Sequence, residues 1–246
     1  MFVIGLVLSL AIGVSLGLLG GGGSILTVPV LHYLFEIEAH DAIAMSLVVV
    51  ALTSAFALLP HARAGNVRWK SGLTFGGTSM AFAFVGARVG AALPSAVLVI
   101  AFAALMFSVG TVMLIRTRRA IATPRPPSLE RMLATGVGVG LLTGVLGAGG
   151  GFVIVPALTL VGGLAIREAV ATSLLVITMN ALAALAGTAG HASFEGCVLV
   201  PVAAIAMAGS MLGMRLGRRL SAHQLQRGFG VFIVVIGTAI LFRELI

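Results

Sequence analysis

Long apolar runs separated by short polar loops make up most of the chain, five in each half. In order they cover residues 2–19, 24–35, 42–60, 71–92, 95–116, 132–147, 150–163, 169–188, 198–216 and 227–246. A hydrocarbon core about 30 Å thick needs roughly 20 apolar residues per helix, so the pattern predicts an all-α, polytopic membrane helical bundle. The runs 24–35 and 150–163 are short for a span, which favours half-helices or re-entrant segments. Whether the first two elements of each half cross fully or re-enter stays open.

A glycine-rich stretch occurs twice in the chain. Gly17 to Pro29 reads GLLGGGGSILTVP, and 127 positions later Gly144 to Pro156 reads GVLGAGGGFVIVP. A long internal repeat of this kind indicates a chain built from two homologous units. We therefore predict a first transmembrane repeat at residues 1–116, a cytoplasmic linker at 117–131 and a second transmembrane repeat at 132–246.

The charges of the loops predict how the two repeats are oriented. Basic residues indicate that the loop 61–70 and the linker lie in the cytoplasm, and the acidic loop 36–41 then lies outside. In the second half, basic residues place the loop 217–226 in the cytoplasm, whereas its repeat counterpart around Leu93 must lie outside. The repeats are thus predicted to be inverted. Secondary transporters use such halves to open a central site to alternate sides of the membrane.

The composition agrees with a membrane environment. Hydrophobic residues make up 59% of the chain and charged residues only 9%, against about a quarter charged in soluble domains. The basic residues behind the net charge of +8 are concentrated in short segments beside the apolar runs, which membrane topology explains better than nucleic-acid binding. Cys197 is the only cysteine, so a metal site built on several cysteines is excluded. We predict no cofactor and no resident metal; the expected partners are a lipid bilayer and a small anion, and a homo-oligomer stays open.

Each glycine-rich stretch lies where one apolar helix is predicted to end and the next to begin. Glycine permits such a break and lets the backbone approach a ligand closely. The first N–H groups of the following helix lack intrahelical partners and lie at the positive end of the helix dipole, so they can bind an anion without a buried cation. The alternative is that the small residues only let helices pack closely in lipid. The predicted substrate-binding residues at the two breaks are Gly20, Gly21, Gly22, Gly23, Ser24, Gly147, Gly149, Gly150 and Gly151.

The two breaks, each followed by an apolar helix that contains Pro29 or Pro156, make the chain similar to the sulfite exporter TauE/SafE family over nearly its whole length. The first break is all glycine from residue 20 to 23, whereas the second has Ala148. The resemblance implies a bacterial inner-membrane carrier of sulfite, thiosulfate or organosulfonates. It implies a class of substrate and not one molecule. An anion channel, or a carrier of another small organic anion, is the alternative.

Polar side chains also fall at repeat-equivalent positions of the predicted membrane helices. Ser46 and Thr53 lie seven residues apart on one helix, and Ser173 and Asn180 hold the same positions in the second half. Seven residues are about two helical turns, so each pair lies on one face, and we predict that both faces contribute to substrate binding. Ser and Thr can instead bond to their own backbone, whereas Asn180 needs a partner in lipid and is the better candidate.

Carboxylates stand at the start of two equivalent helices, at Asp41 and Glu168. There they can cap free N–H groups and complement the helix dipole. The alternative is proton coupling, for which His32, His40 and His61 are further candidates. The chain lacks a His-Glu-x-x-His motif and a pair of mid-membrane aspartates, so we predict no enzymatic activity and no catalytic residue.

Overall fold

The computed structural model describes the chain at residues 2–21, 23–94, 129–146, 151–188 and 194–217, at scattered positions between 97 and 111, and at residues 224 and 238. The predicted fifth segment of each half and most of the predicted linker lie largely outside these residues, as do the candidate site residues Gly22, Gly147, Gly149 and Gly150. All elements of the described ranges are α-helices, which confirms the predicted fold class.

The helices begin and end close to the predicted boundaries. They are α1 (Phe2–Leu19), α2 (Ser24–Leu34), α3 (Ala39–Arg63), α4 (Trp69–Ala91), α5 (Leu129–Leu146), α6 (Gly151–Leu160), α7 (Ile166–Thr188) and α8 (Gly196–Gly217). α3 extends the predicted apolar run at both ends, and α5 begins at Leu129, inside the stretch predicted as linker. The differences arise because backbone hydrogen bonds continue through polar first and last turns, where hydropathy gives no signal.

α2 and α6 are the two short helices, with 11 and 10 residues. At a rise of 1.5 Å per residue each is roughly 15 to 17 Å long, about half of the hydrocarbon core. Each contains a proline, Pro29 or Pro156, and each follows a glycine-rich break. The short runs of the sequence therefore form half-helices, as their lengths predicted.

The surface of the bundle suits lipid. Within the described ranges, α3, α5, α7 and α8 are long and apolar enough to cross a membrane. Large apolar side chains remain exposed on the outer faces, with Val3 72% and Val200 67% exposed. The fully buried polar side chains of the described ranges belong to serine, threonine and asparagine. This distribution is that of a multi-pass membrane protein.

The helices repeat along the chain with one fixed offset. The paired starting residues are Phe2 and Leu129, Ser24 and Gly151, Ala39 and Ile166, and Trp69 and Gly196. In every pair the two residues are 127 positions apart, as are the glycine-rich stretches of the sequence. α5 to α8 are therefore second copies of α1 to α4.

α4 and α7, which come from different halves, pack side by side and run in the same direction. Gly72 of α4 lies against Thr172 of α7, and further along both helices Phe84 lies against Gly187. Small residues at the contact allow this close approach, as is common between membrane helices. The start of α4 and the start of α7 thus lie at the same end of the bundle.

α3 and its copy α7 run in opposite directions. They cross near their middles, where Ser54 and Thr178 are hydrogen-bonded at 2.9 Å. The loop 64–68 between α3 and α4 spans at most roughly 20 Å, so the end of α3 lies near the start of α4 and hence near the start of α7. If α3 and α7 were parallel, the end of α3 would lie beyond the reach of this loop. The antiparallel crossing agrees with the inverted orientation predicted from loop charge.

Close packing also joins the first helix of each half to the fourth helix of the other. Gly13 of α1 lies against Ala206 of α8, and Gly140 of α5 lies against Ser79 of α4, so the two contacts are copies of one another. A Cβ at either glycine would overlap a backbone carbonyl oxygen of the neighbouring helix. The two copies are therefore interlocked along their membrane helices.

Candidate substrate site

The first glycine-rich break connects α1 to α2. Gly20 has a φ of 68°, in the left-handed region that side chains with a Cβ rarely adopt, and its N–H donates to Leu16 O at 2.9 Å. This hydrogen bond closes the last turn of α1, and α2 begins at Ser24. The backbone conformation is thus sufficient by itself to favour glycine at position 20.

The two breaks contact each other backbone to backbone. A Cβ placed on Gly21 would overlap backbone atoms of Gly151, and one placed on Gly151 would overlap the backbone of Gly21. Both residues are buried. Gly21 lies just before α2 and Gly151 begins α6, so the N-terminal ends of the two half-helices meet where the halves join.

Ser173 of α7 is hydrogen-bonded to the first break. Its Oγ lies 2.5 Å from Gly20 O and 2.8 Å from Val170 O, and the side chain is fully buried. Ser46, its copy on α3, donates to Ile43 O of its own helix at 2.8 Å. The structure therefore brings Ser173 together with Gly20 across the junction of the halves.

The first turn of α2 is hydrogen-bonded within itself. The Ser24 hydroxyl donates to Gly21 O at 2.7 Å, and the Leu26 N–H donates to Gly23 O at 3.1 Å. Ser24 has no exposed surface, and a Cβ at Gly23 would overlap Ile12 O of α1. The described part of the break is a packed junction, so the packing role is present in this conformation. Anion binding there stays a prediction, and it requires the half-helices to separate.

Asn180 and Thr53 are repeat-equivalent but differ in their contacts. Thr53 is fully buried, and its hydroxyl donates to Val49 O of its own helix at 2.6 Å. Asn180 is 1% exposed, and its Nδ2 donates to Ser79 Oγ of α4 at 2.6 Å. Its Oδ1 is buried and has no hydrogen-bond partner in the part of the chain that the structure describes. Thr53 is thus satisfied locally, while Asn180 forms a polar contact between the halves. Sequence reasoning missed Ser79, because its copy is Ala206 and the repeat gives no signal there.

Glu168 lies in the first turn of α7 and pairs with Arg68, one of the basic residues of the loop 61–70 that is predicted to be cytoplasmic. Arg68 Nη2 lies 2.5 Å from Glu168 Oε1, and the Arg68 N–H donates to Thr172 Oγ1 at 3.0 Å. The Ala165 N–H also bonds to the Glu168 carboxylate, which is the return bond of a capping box. The hydrogen bond to Glu168 raises the pKa of Arg68, so the guanidinium stays charged. Asp41 holds the equivalent place in the first turn of α3, and proton coupling through either carboxylate stays a prediction.

A small cleft lies at the other end of the α4–α7 pair. It is formed by the start of α3 and the ends of α4, α5 and α7, and its polar lining residues are His40 and Thr188. Its volume of about 20 Å³ admits roughly one water molecule, which is too little for an oxyanion.

Of the other candidate histidines, His32 bonds through Nδ1 to Ile37 O at 2.8 Å, and His61 lies in the last turn of α3.

Two antiparallel copies of one helical unit, joined at glycine-rich half-helices in a lipid-facing bundle, define a membrane transporter architecture. Residues 5–240 match the family model described as sulfite exporter TauE/SafE, and the chain belongs to this family. No solved structure matches the chain.

Curated relatives from several organisms carry names of the same kind. A "Probable membrane transporter protein" of Xylella fastidiosa strain Temecula1 is 33% identical over 95% of this chain and 92% of its own length. The "Probable membrane transporter protein YdhB" of Bacillus subtilis is 28% identical over 94% of this chain and 96% of its own length. A probable membrane transporter of Methanocaldococcus jannaschii is 29% identical over 98% of this chain and 97% of its own length. The family and these names support membrane transport rather than enzymatic catalysis.

Proposed function

We propose that this protein is a secondary transporter that moves small sulfur-containing anions, such as sulfite, thiosulfate or organosulfonates, across the bacterial inner membrane. In this proposal the repeats at 1–116 and 132–246 exchange conformations, so that a central site opens to alternate sides of the membrane. The substrate binds between them at the N-terminal ends of α2 and α6.

One observation carries the proposal, and it is the contact of Gly21 with Gly151. The half-helices of two antiparallel copies meet there with their positive ends, which is the arrangement that discontinuous helices of inverted-repeat transporters use for anionic groups. Separation of the two backbones would expose amide N–H groups from both halves at once. The packed junction corresponds to a closed conformation of such a site.

The charge of the interior favours a singly charged substrate. The fully buried polar residues of the described ranges carry hydroxyl or amide groups and no formal charge. An anion in this interior would be bound by neutral donors and helix dipoles without a counter-charge, and each additional charge raises the cost of leaving water. Hydrogensulfite and monovalent sulfonates therefore fit this environment best, and the divalent anions thiosulfate and sulfate fit it less well.

Transport by purified protein in liposomes tests the proposal. Uptake of labelled sulfite, thiosulfate and a small sulfonate is measured with and without the same anion inside the vesicles. A transporter gives saturable uptake that internal substrate accelerates by counterflow, with sulfate competing weakly.

Two other outcomes distinguish the alternatives. An anion channel gives uptake that follows the gradient without saturation or counterflow. A carrier of other organic anions gives counterflow with carboxylates and none with the sulfur compounds, and either result would refute the proposal as stated.

A further inference from the structure

The contact surface of α4 with α7, here called the α4–α7 interface, places a line of small residues on α4 against larger side chains of α7. On α4 it contains Gly72, Gly76 and Ser79. A Cβ at Gly72 would lie 2.9 Å from Thr172, and one at Gly76 would lie 3.0 Å from Met179. Larger residues on α4 would hold the two helices apart. The interface is therefore tight, with side chains of α7 packed directly against the glycines of α4.

The α4–α7 interface is closed by polar contacts at one end and ends in a cleft at the other. The ion pair of Arg68 with Glu168 holds the end at which both helices start. The small cleft beside Thr188 lies at the end of α7. Asn180 is 12 residues after Glu168 and eight before Thr188, roughly 18 and 12 Å along the helix axis. Asn180 is thus a polar residue inside the bundle, between the end held by the ion pair and the end with the cleft.

The buried amide of Asn180 is incompletely satisfied. Other buried side chains of the described helices, such as Ser9 and Thr53, donate to a carbonyl of their own helix. Among the residues that the structure describes, Asn180 has one hydrogen-bond partner, Ser79, and its Oδ1 has no partner although the side chain is 1% exposed. A buried unsatisfied amide oxygen destabilises a fold, so its presence in the interior calls for a functional explanation.

The same amide can offer donors at the unpartnered position. Rotation of the amide by 180° exchanges its oxygen and nitrogen, and the two arrangements are alternatives for the same hydrogen-bonding site. The Ser79 hydroxyl then donates to Oδ1, and Nδ2 takes the position where Oδ1 now lies, with its two N–H groups directed away from that position. Two neutral N–H donors suit the oxygen atoms of a monoanion that lacks a buried counter-charge.

We propose that Asn180, whose amide is oriented by Ser79 while the interface is closed, contacts the transported oxyanion through its amide N–H groups when α4 and α7 separate. The inference rests on the proposed function, since it names a second contact of the same substrate beyond the glycine breaks. Asn180 and Ser79 come from different halves, so their contact is broken and formed again as the halves move.

Anion binding to the purified full-length protein tests the proposal, with the thermal unfolding midpoint measured alongside. The probes are sulfite, thiosulfate, a small sulfonate and a carboxylate. Asn180→Ala removes the donors and also the unsatisfied oxygen, so we expect binding roughly ten- to a hundredfold weaker with the midpoint unchanged or raised. Asn180→Asp keeps the shape but adds a negative charge and removes the N–H groups, so binding should fall further than in Asn180→Ala.

Ser79→Ala and Ser9→Ala complete the set. Ser79→Ala leaves the amide unheld and should weaken binding by a smaller factor than Asn180→Ala. Ser9→Ala is the matched control, because it also removes a buried hydroxyl, one that donates to Gly5 O of its own helix. We expect it to leave anion binding unchanged.

The possible failures are separable. Unchanged binding in Asn180→Ala, or a lowered midpoint with unchanged binding, overturns the inference and leaves the proposed function intact. Undiminished binding in Asn180→Asp also overturns it, because the substrate would then be a donor to the side chain. If the wild type binds the carboxylate alone and Asn180→Ala weakens that binding, the sulfur substrate is refuted and the role of Asn180 is supported. A wild type that binds none of the probes refutes both.

Discussion

Arg68 and Glu168 join the two repeats at one end of the bundle, with Nη2 of the arginine 2.5 Å from Oε1 of the glutamate. Arg68 is the residue before α4 and Glu168 lies in the first turn of α7. Their copies at the same offset are Glu195, before α8, and Asp41, in the first turn of α3. The pair at the Arg68 end has opposite charges, whereas the equivalent pair, Glu195 and Asp41, consists of two acidic residues. The two ends of the bundle therefore differ in charge, although the two repeats are copies of one unit. In the described conformation the ion pair holds the Arg68 end closed.

The first prediction concerns the ion pair of Arg68 with Glu168. Glu168→Gln or Arg68→Gln should make the start of the α4–α7 interface open more often, because each removes the attraction between the halves. The side chains are 58% and 29% exposed, so we expect a change of only a few-fold, smaller at high salt. The measurement is the rate at which a cysteine at position 172, beside Arg68, reacts with a soluble maleimide in a Cys197→Ser background.

The exchanged pair Arg68→Glu with Glu168→Arg should restore slow labelling, since the attraction returns with reversed signs. Arg63→Gln is the control, because it removes a nearby exposed arginine at the end of α3 and should leave the rate unchanged. Equal labelling in all of these proteins would show that the ion pair does not hold this end closed.

The second prediction concerns membrane orientation and uses the native thiol. Cys197 is exposed near the start of α8, and the basic loop after α8 is predicted to be cytoplasmic. A membrane-impermeant maleimide should therefore label Cys197 from outside in intact spheroplasts. Asn66→Cys with Cys197→Ser should be labelled only after the membrane is opened, because the loop before α4 is basic. Labelling of both positions from one side would contradict the inverted orientation.

Helix positions and the repeat could be predicted from the sequence, because hydropathy and a fixed offset are signals of the chain itself. The contacts between halves could not, since the chain contains 33 glycines that look alike in sequence. Gly138 and Gly140 stand two positions apart on α5, yet a Cβ at Gly138 meets open space while one at Gly140 would overlap Ser79 O. Only the placement of α4 against α5 separates them.

The candidate site could likewise be predicted only in part from the sequence. The repeat directed attention to the glycine breaks and to Asn180, because an amide in lipid needs a partner. It gave no sign of Ser79 or Arg68, whose copies are Ala206 and Glu195. A search for internal symmetry finds only residues that both copies share. In this protein the residues that differ between the copies include Ser79 and Arg68, whose contacts make the two halves unequal.

The third prediction concerns the interlocked helices. Gly13→Val and Gly140→Val place a side chain against a backbone carbonyl at equivalent contacts, one on each side of the bundle. Because backbone cannot yield as a flexible side chain can, each variant should be destabilised by roughly 1 to 3 kcal/mol. The thermal unfolding midpoint in detergent measures the effect. A drop in one variant alone would contradict the equivalence of the two contacts.

The last prediction concerns the junction of the two breaks. Gly21→Ala and Gly151→Ala each introduce a Cβ that overlaps the backbone of the other glycine, so both should lower the unfolding midpoint by similar amounts, roughly 1 to 3 kcal/mol in stability. Because they disturb one contact, the double variant should be less destabilised than the sum of the single ones. Gly138→Ala is the control, since its Cβ meets open space and alanine favours a helix.

The same variants separate packing from anion binding at this junction. If the half-helices only pack, anion affinity should fall no further than the loss of folded protein explains. If the anion binds where the backbones part, both variants should also weaken sulfite or sulfonate binding in the fraction that remains folded. Normal midpoints in Gly21→Ala and Gly151→Ala would mean that the two breaks are apart in the membrane, because a Cβ can be accommodated at Gly21 only when the Gly151 backbone has moved away.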